Sequence, residues 1–570
     1  MNTPIHDFVN RYKDLRPARF HMPGHKGRGP LGCEEWDLTE IPGADSLYEA
    51  SGVIAESEAN ASRLFGCPTF YSTEGSSHCI RAMLLLAKQL QTVGGGVPDA
   101  PQLLGSDTFG ASRTPPPTEI GRRFRVLAAR NVHRAFLSAA ALLDLDVVWL
   151  PQAAGSYLSA AVTPEALDAA LAESGAQAVY LTCPDYLGFL PDLRPLARVC
   201  HARGALLLVD NAHGAYLRFL SPSRHPMDLG ADLCCDSAHK TLPVLTGGAY
   251  LHVKGTGNRE RGTGDGRREG TGNRERGTGD EPGSTARSGA QCAPREPAPD
   301  EATAEKAVRD ALALFGSSSP SYLILQSLDL ANPWLEALPE KLAAFLPRVE
   351  ALKARLRAAG WKLVGDEPLK LTICCHSQPC PAQSRRGSEE SVPSAVGLKG
   401  EAGPSAALRS AQDDRIGGGL ALAAALEQAG IFCEFADPDY LVLMLSPQNT
   451  AEELDRLERA LTGREALVAP VIAGGNDAAG TAAEASGDAS LSAGPKAVCS
   501  LREALLSPCE LVPAGESPGR VLARPGVSCP PAVPILMPGE RIDEAAAAAF
   551  ARYGIRTVAV LPRRTTNTDS

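Results

Sequence analysis

The sequence predicts an α/β fold whose major domain is built on a mainly parallel sheet. From about Phe70 to Val253, apolar strand-like runs alternate with helical segments. The strand-like runs lie at 124–129, 147–151, 178–184 and 206–210. They are apolar along almost their whole length, which is typical of parallel strands that helices cover on both faces. Because ligands of such sheets bind beyond the carboxyl ends of the strands, we expect functional side chains there.

The helices that connect these strands follow in the same order. They are a segment near 132–144, TPEALDAALAES at 163–174 and DLRPLARVCHARG at 192–204. His133, Asp210 and Ser237 each come just after a predicted strand. The alternation therefore brings these three side chains to one edge of the sheet.

Two charged residues at strand ends indicate a particular cofactor chemistry. The run LLLVDNAHG ends its strand in Asp210, and ADLCCDSAHKT ends the next one in the segment that carries Lys240. A lysine where an apolar strand stops is partly desolvated, which lowers its pKa and frees its amine to attack a carbonyl. Pyridoxal phosphate has such a carbonyl, and its ring nitrogen needs a carboxylate partner to stay protonated. The pair suggests a Schiff-base lysine and its acidic partner, although each residue alone is more often a solvated loop residue.

Hydroxyl residues and a helix start suit the phosphate of that cofactor. Ser76 and Ser77 begin the amphipathic segment TEGSSHCIRAMLLLAKQL, and Ser237 and His239 lie close to Lys240 in sequence. A helix N-terminus binds phosphate through its free N–H groups and its dipole. The alternative is that the serines only cap the helix.

Motifs along the whole chain resemble those of a known family. In order they are FHMPGHKGR at 20–28, IPGADSL at 41–47, STEGSS at 72–77, ARNVHRA at 129–135, LTCPDYLGFLPDL at 181–193, LLVDNAHGA at 207–215, DSAHKTLPVLTGGAYLH at 236–252, FGSSSPSYLILQSLD at 315–329, LKLTI at 369–373, GIFCEFADPDYLVLMLSPQNT at 430–450 and the C-terminal CPPAVPILMPGERI. The chain resembles the Orn/Lys/Arg decarboxylases, bacterial pyridoxal-phosphate enzymes of fold type I. DxAHG and SxHK occur across many enzymes of that fold type, whereas HMPGHK and PPAVPILMPGERI narrow the resemblance to this family.

The resemblance implies an aspartate aminotransferase-like major domain and roles for residues of this sequence. Lys240 would carry the cofactor, and Asp210 would pair with its ring nitrogen. His133 would stack on one face of the ring and Ala212 would pack against the other. His213 follows Asp210 by three residues and would support its orientation. Lys240, once released, is also a candidate proton donor to Cα, and other acids stay open for that role.

The phosphate would be held from two sides. Within the chain, the resemblance assigns it to Ser76, Ser77, Ser237 and His239. Ser317 and Ser318 of FGSSSPSY resemble the contribution that a neighbouring subunit makes to this site. The resemblance therefore implies a homodimer or a larger homo-oligomer with shared active sites.

The implied reaction is α-decarboxylation of arginine, lysine or ornithine to the corresponding amine and CO₂. Carboxylates should meet the distal cation of the substrate. The candidates are Glu434 and Asp437, with Asp439 in the same segment and Glu74 in the phosphate loop. A guanidinium favours a bidentate carboxylate, but the sequence does not choose among the three amino acids.

Two other interpretations stay open. Another fold-type I enzyme, an aminotransferase or a β-eliminating lyase, would use the same lysine and aspartate. An aminotransferase of this class carries a small-domain arginine for the substrate carboxylate, and the sequence has none at 431–450. The second alternative is a catalytically silent regulator that binds the cofactor, although every residue with an implied cofactor role is present.

Composition divides the chain into three domains. We expect a pyridoxal-phosphate-binding major domain at 1–330, a small α+β domain at 331–470, a linker at 471–496 and a decarboxylase-type C-terminal domain at 497–570. The last is short for an independent core and should pack on the rest. Inserts at about 255–302 and 377–416 interrupt the first two domains.

The inserts are predicted to be disordered. The segment GTGNRERGTGD at 255–265 recurs at 270–280, and both inserts are too polar to offset the entropy of ordering. A basic nucleic-acid arm is the alternative for the repeat. Acidic residues alternate with its arginines, which favours a solvated linker.

Composition also indicates the partners, the cellular compartment and the redox state of the protein. The 570 residues are 44% hydrophobic, enough for sizeable cores, and the net charge of −10 argues against nucleic acid. No apolar run reaches the roughly 20 residues that span a bilayer, and the N-terminal segment lacks a signal-peptide core, so we expect a cytoplasmic protein. The 15 cysteines are scattered, which suits reduced thiols. Cys374, Cys375, His376 and Cys380 lack paired CxxC spacing, so no metal is expected there.

Deletion of residues 255–300 should leave fold and activity nearly unchanged, because this composition cannot form a core. Limited proteolysis should cut the native protein in this segment first. Protection of the segment from protease, or loss of activity on its deletion, would show that it packs against something.

Overall fold

The computed structural model of this chain describes residues 1–93, 123–151, 156–255, 299–375, 418–463, 497–526 and 530–563. The predicted inserts and the linker at 471–496 lie almost entirely outside these residues. A helix begins at Pro299, so the first insert ends a few residues before the predicted boundary at about 302. A deletion that spares this helix should therefore stop at 298.

The major sheet has seven strands. They are β1 (Thr69–Ser72), β2 (Arg125–Ala128), β3 (Asp146–Trp149), β4 (Ala178–Thr182), β5 (Leu206–Asp210), β6 (Leu233–Asp236) and β7 (Ala249–Val253). Their order across the sheet is β1-β7-β6-β5-β4-β2-β3. Neighbours among β2 to β6 pair in parallel, whereas β7 pairs antiparallel with both β6 and β1. Strand β1 therefore runs in the same direction as β2 to β6, and six strands end at one edge of the sheet.

Helices cover both faces of this sheet. In chain order they are α1 (Pro4–Asp14), α2 (Val53–Phe65), α3 (Gly75–Val93), α4 (Arg134–Leu142), α5 (Pro164–Ser174), α6 (Leu193–Ala202), α7 (Ala238–Thr241), α8 (Pro299–Phe315) and α9 (Tyr322–Glu336). Leu206 and Leu208 of β5 join the core beneath α3 and α4, whereas Leu207 and Val209 join the core beneath α5 and α6. This is why β5 is apolar at successive positions, and it confirms the predicted fold class. No helix of the described ranges is both long and apolar enough to cross a membrane.

The second unit is a four-stranded antiparallel sheet with helices. Its elements are α10 (Leu338–Ala358), β8 (Leu363–Val364), β9 (Lys370–Cys374), α11 (Gly418–Gln428), β10 (Phe435–Ala436), β11 (Tyr440–Met444) and α12 (Ala451–Thr462). Leu371 of β9 and Leu441 of β11 belong to the same buried cluster as Ile5 of α1 and Leu325 of α9. The shared core fixes β9 beside the major domain.

The C-terminal unit contains α13 (Leu501–Leu506), β12 (Glu510–Pro513), α14 (Glu544–Arg552) and β13 (Thr557–Val560). Leu522, Phe550 and Val558 form a small core within it. The unit also packs on the rest, as its length suggests. Arg130, just after β2, makes two hydrogen bonds of 2.8 and 2.7 Å to the Glu540 carboxylate, and both side chains are buried.

Glu540→Ala should destabilise the protein by about 3–5 kcal/mol, because it leaves the buried Arg130 guanidinium without its partner. Thermal or denaturant unfolding of the full chain measures this. Asp168→Ala is the matched control, since Asp168 also accepts two hydrogen bonds from one arginine, Arg203, but at an exposed site. The unfolding midpoint of the control should stay near that of wild type, and a Glu540→Ala midpoint equal to the control would contradict the prediction.

Candidate active site

Four chain segments with candidate functional residues meet at the carboxyl edge of the major sheet. Ser76 follows β1, His133 follows β2, Asp210 ends β5, and Lys240 lies in α7 just after β6. The hydroxyl oxygens of Ser76 and Ser237 are 2.7 Å apart, which joins the starts of α3 and α7. The structure thus brings together side chains that the sequence placed at separate strand ends.

Lys240 and Asp210 lie close together in this site. The Nζ atom of Lys240 is 2.9 Å from Nε2 of His213. The Asp210 carboxylate is only 2% exposed and accepts hydrogen bonds from the Tyr180 hydroxyl at 3.1 Å and the Ala212 N–H at 3.2 Å. Burial raises the pKa of Asp210, and the nearby Lys240 charge opposes that rise. A second cation beside the carboxylate would stabilise its ionised form.

His133 is neutral at physiological pH. It caps α4, and its Nδ1 accepts the Ala135 N–H at 3.2 Å, so the ring proton is on Nε2. Burial, followed by the charge of Lys240, lowers the pKa of His133 to about 4. An uncharged ring of this kind can lie against a cationic aromatic ring without repulsion.

Helix α3 begins on the phosphate side of the site, but one predicted phosphate donor, His239, is already engaged. Helix α3 begins at Gly75, with Ser76 buried and Ser77 half-buried in its first turn. His239 donates its Nδ1–H to the Gly248 carbonyl at 3.0 Å, which leaves Nε2 of the neutral ring as an acceptor. Burial lowers the pKa of His239. It can therefore donate to a phosphate only when protonated.

The chemistry of this set fits pyridoxal phosphate. Lys240 offers an amine, Asp210 offers a buried carboxylate, and Ser76 and Ser237 offer hydroxyls beside a helix N-terminus. Thr241, next to Lys240, has a buried hydroxyl oxygen with no hydrogen-bond partner among the residues that the structure describes. A bound group could satisfy that oxygen.

Ser317 and Ser318 lie at the rim of the site. Both are exposed, and the Ser317 N–H donates to Glu74 Oε1 of the same chain at 2.5 Å. Glu74 is itself exposed in the loop that leads into α3. The predicted contribution of the two serines to a neighbouring subunit remains a prediction.

The acidic residues predicted to bind the substrate have different hydrogen-bond partners in the structure. Glu434 is half-buried, and its Oε1 accepts the Tyr186 hydroxyl at 3.0 Å. Asp437 Oδ1 instead accepts the backbone N–H groups of Asp439 and Tyr440, which closes the turn before β11. Asp439 pairs with Arg552 and Tyr553 of the C-terminal unit.

Two residues of the site have no role in the sequence analysis. Lys370 at the start of β9 reaches His213, with 2.9 Å between Nζ and Nδ1. The Tyr186 ring lies 5.2 Å from the His213 ring, measured between centroids. The small domain therefore does supply a cation, from β9 rather than from 431–450. Lys370 is the second residue of the apolar run LKLTICC, where a lysine at a strand start is common, so no local signal singled it out.

Comparisons with known proteins show which sequences and structures this chain resembles. Residues 118–264 match the Orn/Lys/Arg decarboxylase major domain. An uncharacterized protein of Bacillus subtilis, YaaO, is 26% identical, and the alignment covers 95% of this chain and 92% of that protein. An arginine decarboxylase of Halalkalibacterium halodurans is 24% identical, covering 95% of this chain and 91% of that enzyme.

Solved structures share the fold. The constitutive lysine decarboxylase of E. coli superposes with a TM-score of 0.61 at 16% identity, over 98% of this chain and 82% of that one. A Francisella novicida lysine decarboxylase gives 0.63 at 14% identity, over 98% and 81%. The family match confirms the resemblance seen in the sequence, and the structures confirm the fold class.

Lys240→Ala should abolish covalent cofactor binding, because it removes the amine at the centre of the site. The visible absorbance of the lysine-bound cofactor and its trapping by borohydride should both be lost, together with catalysis. Lys254→Ala is the control, since Lys254 pairs with Asp232 away from these residues. Cofactor still trapped on the Lys240→Ala chain would show that another lysine is used.

Proposed function

We propose that this chain, whose residues 118–264 match the Orn/Lys/Arg decarboxylase major domain, removes the α-carboxylate of a basic amino acid as CO₂. The observation that carries the proposal is the meeting of Lys240, Asp210 and the Ser76–Ser237 pair at one sheet edge. The family match supports the enzyme class, a pyridoxal-phosphate-dependent decarboxylase, and its cofactor together.

Different residues of the site would hold different parts of the cofactor. When bound, pyridoxal phosphate supplies an aldehyde for attachment and a cationic ring that accepts the electrons of the breaking Cα–carboxylate bond. Lys240 would provide the attachment point, and the Asp210 carboxylate would keep a proton on the ring nitrogen. Neutral His133 would cover one ring face, with Ala212 at the other. Ser76, Ser77, Ser237 and the start of α3 would hold the phosphate, helped by His239 when it is protonated.

Glu434 is the residue that we assign to the substrate's distal cation. Tyr186 donates to Oε1 of Glu434 and so orients the carboxylate, while Oε2 can accept from a guanidinium or an ammonium. Asp437, which closes a turn through Oδ1, is the second candidate. We rank arginine first because relatives that align over 95% of this chain are named arginine decarboxylases. Lysine and ornithine follow.

The proposal also covers the oligomeric state, the domain boundaries and the cellular compartment of the protein. The exposed Ser317 and Ser318 lie beside the loop that leads into α3, where a second subunit of a homodimer could reach them. We place domain boundaries at 1–330, 331–470 and 497–570, joined by 471–496. The described cysteines are free thiols, which supports a reducing, cytoplasmic compartment.

The assay that tests the proposal measures CO₂ release from arginine, lysine, ornithine and a neutral amino acid, with and without added pyridoxal phosphate. We expect release from at least one basic amino acid and dependence on the cofactor. Keto-acid formation without CO₂ would instead indicate an aminotransferase. Cofactor binding without turnover of any substrate would indicate a silent regulator.

Glu434→Gln should lower kcat/KM for the preferred basic amino acid roughly ten- to a hundredfold, because a charge-assisted contact contributes about 1.5–3 kcal/mol. The neutral amino acid should lose little. Glu427→Gln is the control, since Glu427 is exposed on the preceding helix. An unchanged substrate preference in Glu434→Gln would remove Glu434 from the substrate site.

A further inference from the structure

Lys370 is a fully buried lysine that faces the candidate active site from the small domain. Its Nζ lies within hydrogen-bond distance of three acceptors: the carbonyls of Asp185 at 3.2 Å and Tyr186 at 3.4 Å, and Nδ1 of His213 at 2.9 Å. The side chain is 1% exposed, and Glu367 Oε2 lies 3.8 Å from Nζ. An ammonium has three N–H donors, which matches the three acceptors.

His213 joins this lysine to Lys240. Its Nδ1 lies 2.9 Å from Nζ of Lys370, and its Nε2 lies 2.9 Å from Nζ of Lys240. A neutral imidazole has one donor and one acceptor nitrogen. His213 can therefore accept a hydrogen bond from one of the two lysines only, and it must donate to the other.

The surroundings decide which lysine is the donor. Lys370 faces the carboxylates of Glu367, Asp185 and Glu434, which favour its charged form and oppose the lowering of its pKa by burial. Burial, together with the charge of Lys370, holds the pKa of His213 well below its usual value, so the ring is neutral. Asp210 favours a charged Lys240, but its carboxylate already accepts hydrogen bonds from the Tyr180 hydroxyl and the Ala212 N–H. His133 and His239 also face the His213 ring.

We propose that Lys370 is a positioning residue that fixes the proton of His213 on Nε2, so that His213 donates to Lys240 and holds it as the neutral amine. The Lys370 ammonium donates to Nδ1, and the Nε2–H donates to the lone pair of Nζ in Lys240. The use of that amine to attach a cofactor rests on the proposed function. The direction of the two hydrogen bonds, from Lys370 to His213 and from His213 to Lys240, does not depend on the proposed function.

The experiment measures the reactivity of Lys240 in the full-length chain freed of cofactor. Formaldehyde with a mild hydride reagent methylates uncharged amines, and mass spectrometry of the Lys240 peptide gives the labelling rate at each pH. In Lys370→Met the midpoint of Lys240 labelling should rise by about one pH unit, because the ring loses the donor that fixes its proton and a nearby positive charge is removed. Labelling at neutral pH then falls about tenfold.

The matched control is Lys353→Met. Lys353 is also buried and donates to the carbonyls of Glu367 and Pro368, in the same turn as Lys370, but within the described residues it makes no hydrogen bond or ion pair with His213. Its labelling midpoint should equal that of wild type. An unchanged midpoint in folded Lys370→Met would overturn the proposal, as would an equal shift in both variants.

A double variant separates hydrogen bonding from simple charge. His213→Phe should raise the labelling midpoint, and adding Lys370→Met to it should raise the midpoint further by much less than in wild type. Full additivity would contradict action through His213. If Lys370→Met fails to fold, ¹⁵N NMR of the histidines in the wild-type chain decides directly, with the His213 signal assigned by its loss in His213→Phe. A proton on Nδ1 of His213 would overturn the proposal.

The labelling result does not depend on decarboxylation. A raised midpoint in Lys370→Met together with no CO₂ release by the wild-type chain would leave the positioning role intact and reject the proposed reaction. Release of CO₂ together with an unchanged midpoint would support the proposed reaction and reject the positioning role.

Discussion

The candidate site depends on one directional constraint, the common orientation of six strands in the major sheet. Strand β7 lies between β1 and β6 and pairs antiparallel with both, so β1 ends at the same edge as β5 and β6. Without this arrangement the start of α3 would lie at the opposite edge from Lys240. The hydrogen bond between Ser76 and Ser237 shows that the residues following β1 and β6 lie next to each other.

The chemistry at this edge is a balance of buried charges. Asp210 comes from the major domain, whereas Lys370, with Glu367 close by, comes from the small domain. Taking any one of these ions out of water is costly unless a partner of opposite charge is near. The small domain thus does more than cover the site, because its lysine and carboxylate set the electrostatic surroundings of His213. The C-terminal unit contributes in the same manner through Glu540, which neutralises Arg130 just after β2.

A buried network below the site holds the end of β6 in place. His225 and His252 both contact Asp236 Oδ2, at 3.1 and 3.0 Å, and the Asn211 side-chain amide donates to Oδ1 at 2.6 Å. Burial favours the neutral form of Asp236, but the two histidines outweigh it and hold its pKa below the ordinary value. His225, Cys234 and Asp236 also have the close spacing of a metal site. Because His225 Nδ1 accepts the Met227 N–H, its proton is on Nε2 and faces Asp236, so hydrogen bonding accounts for the cluster.

The sequence by itself determined the alternation of strands and helices, the resemblance to a known family, and the chain positions of Lys240, Asp210, His133 and the phosphate-side serines. These follow from local patterns, because an apolar run and the polar residue that ends it are adjacent in the chain. Only the tertiary structure decided which small-domain residues face the candidate active site. Lys370 meets His213 although 157 positions separate them, and within LKLTI it looks like any lysine at a strand start. The same holds for Asp437 and Glu434, which are three positions apart and equally acidic. Asp437 closes a turn with its own neighbours, whereas Glu434 faces Tyr186 of the major domain. Packing between domains sets the direction of the Glu434 side chain, and no local pattern records it.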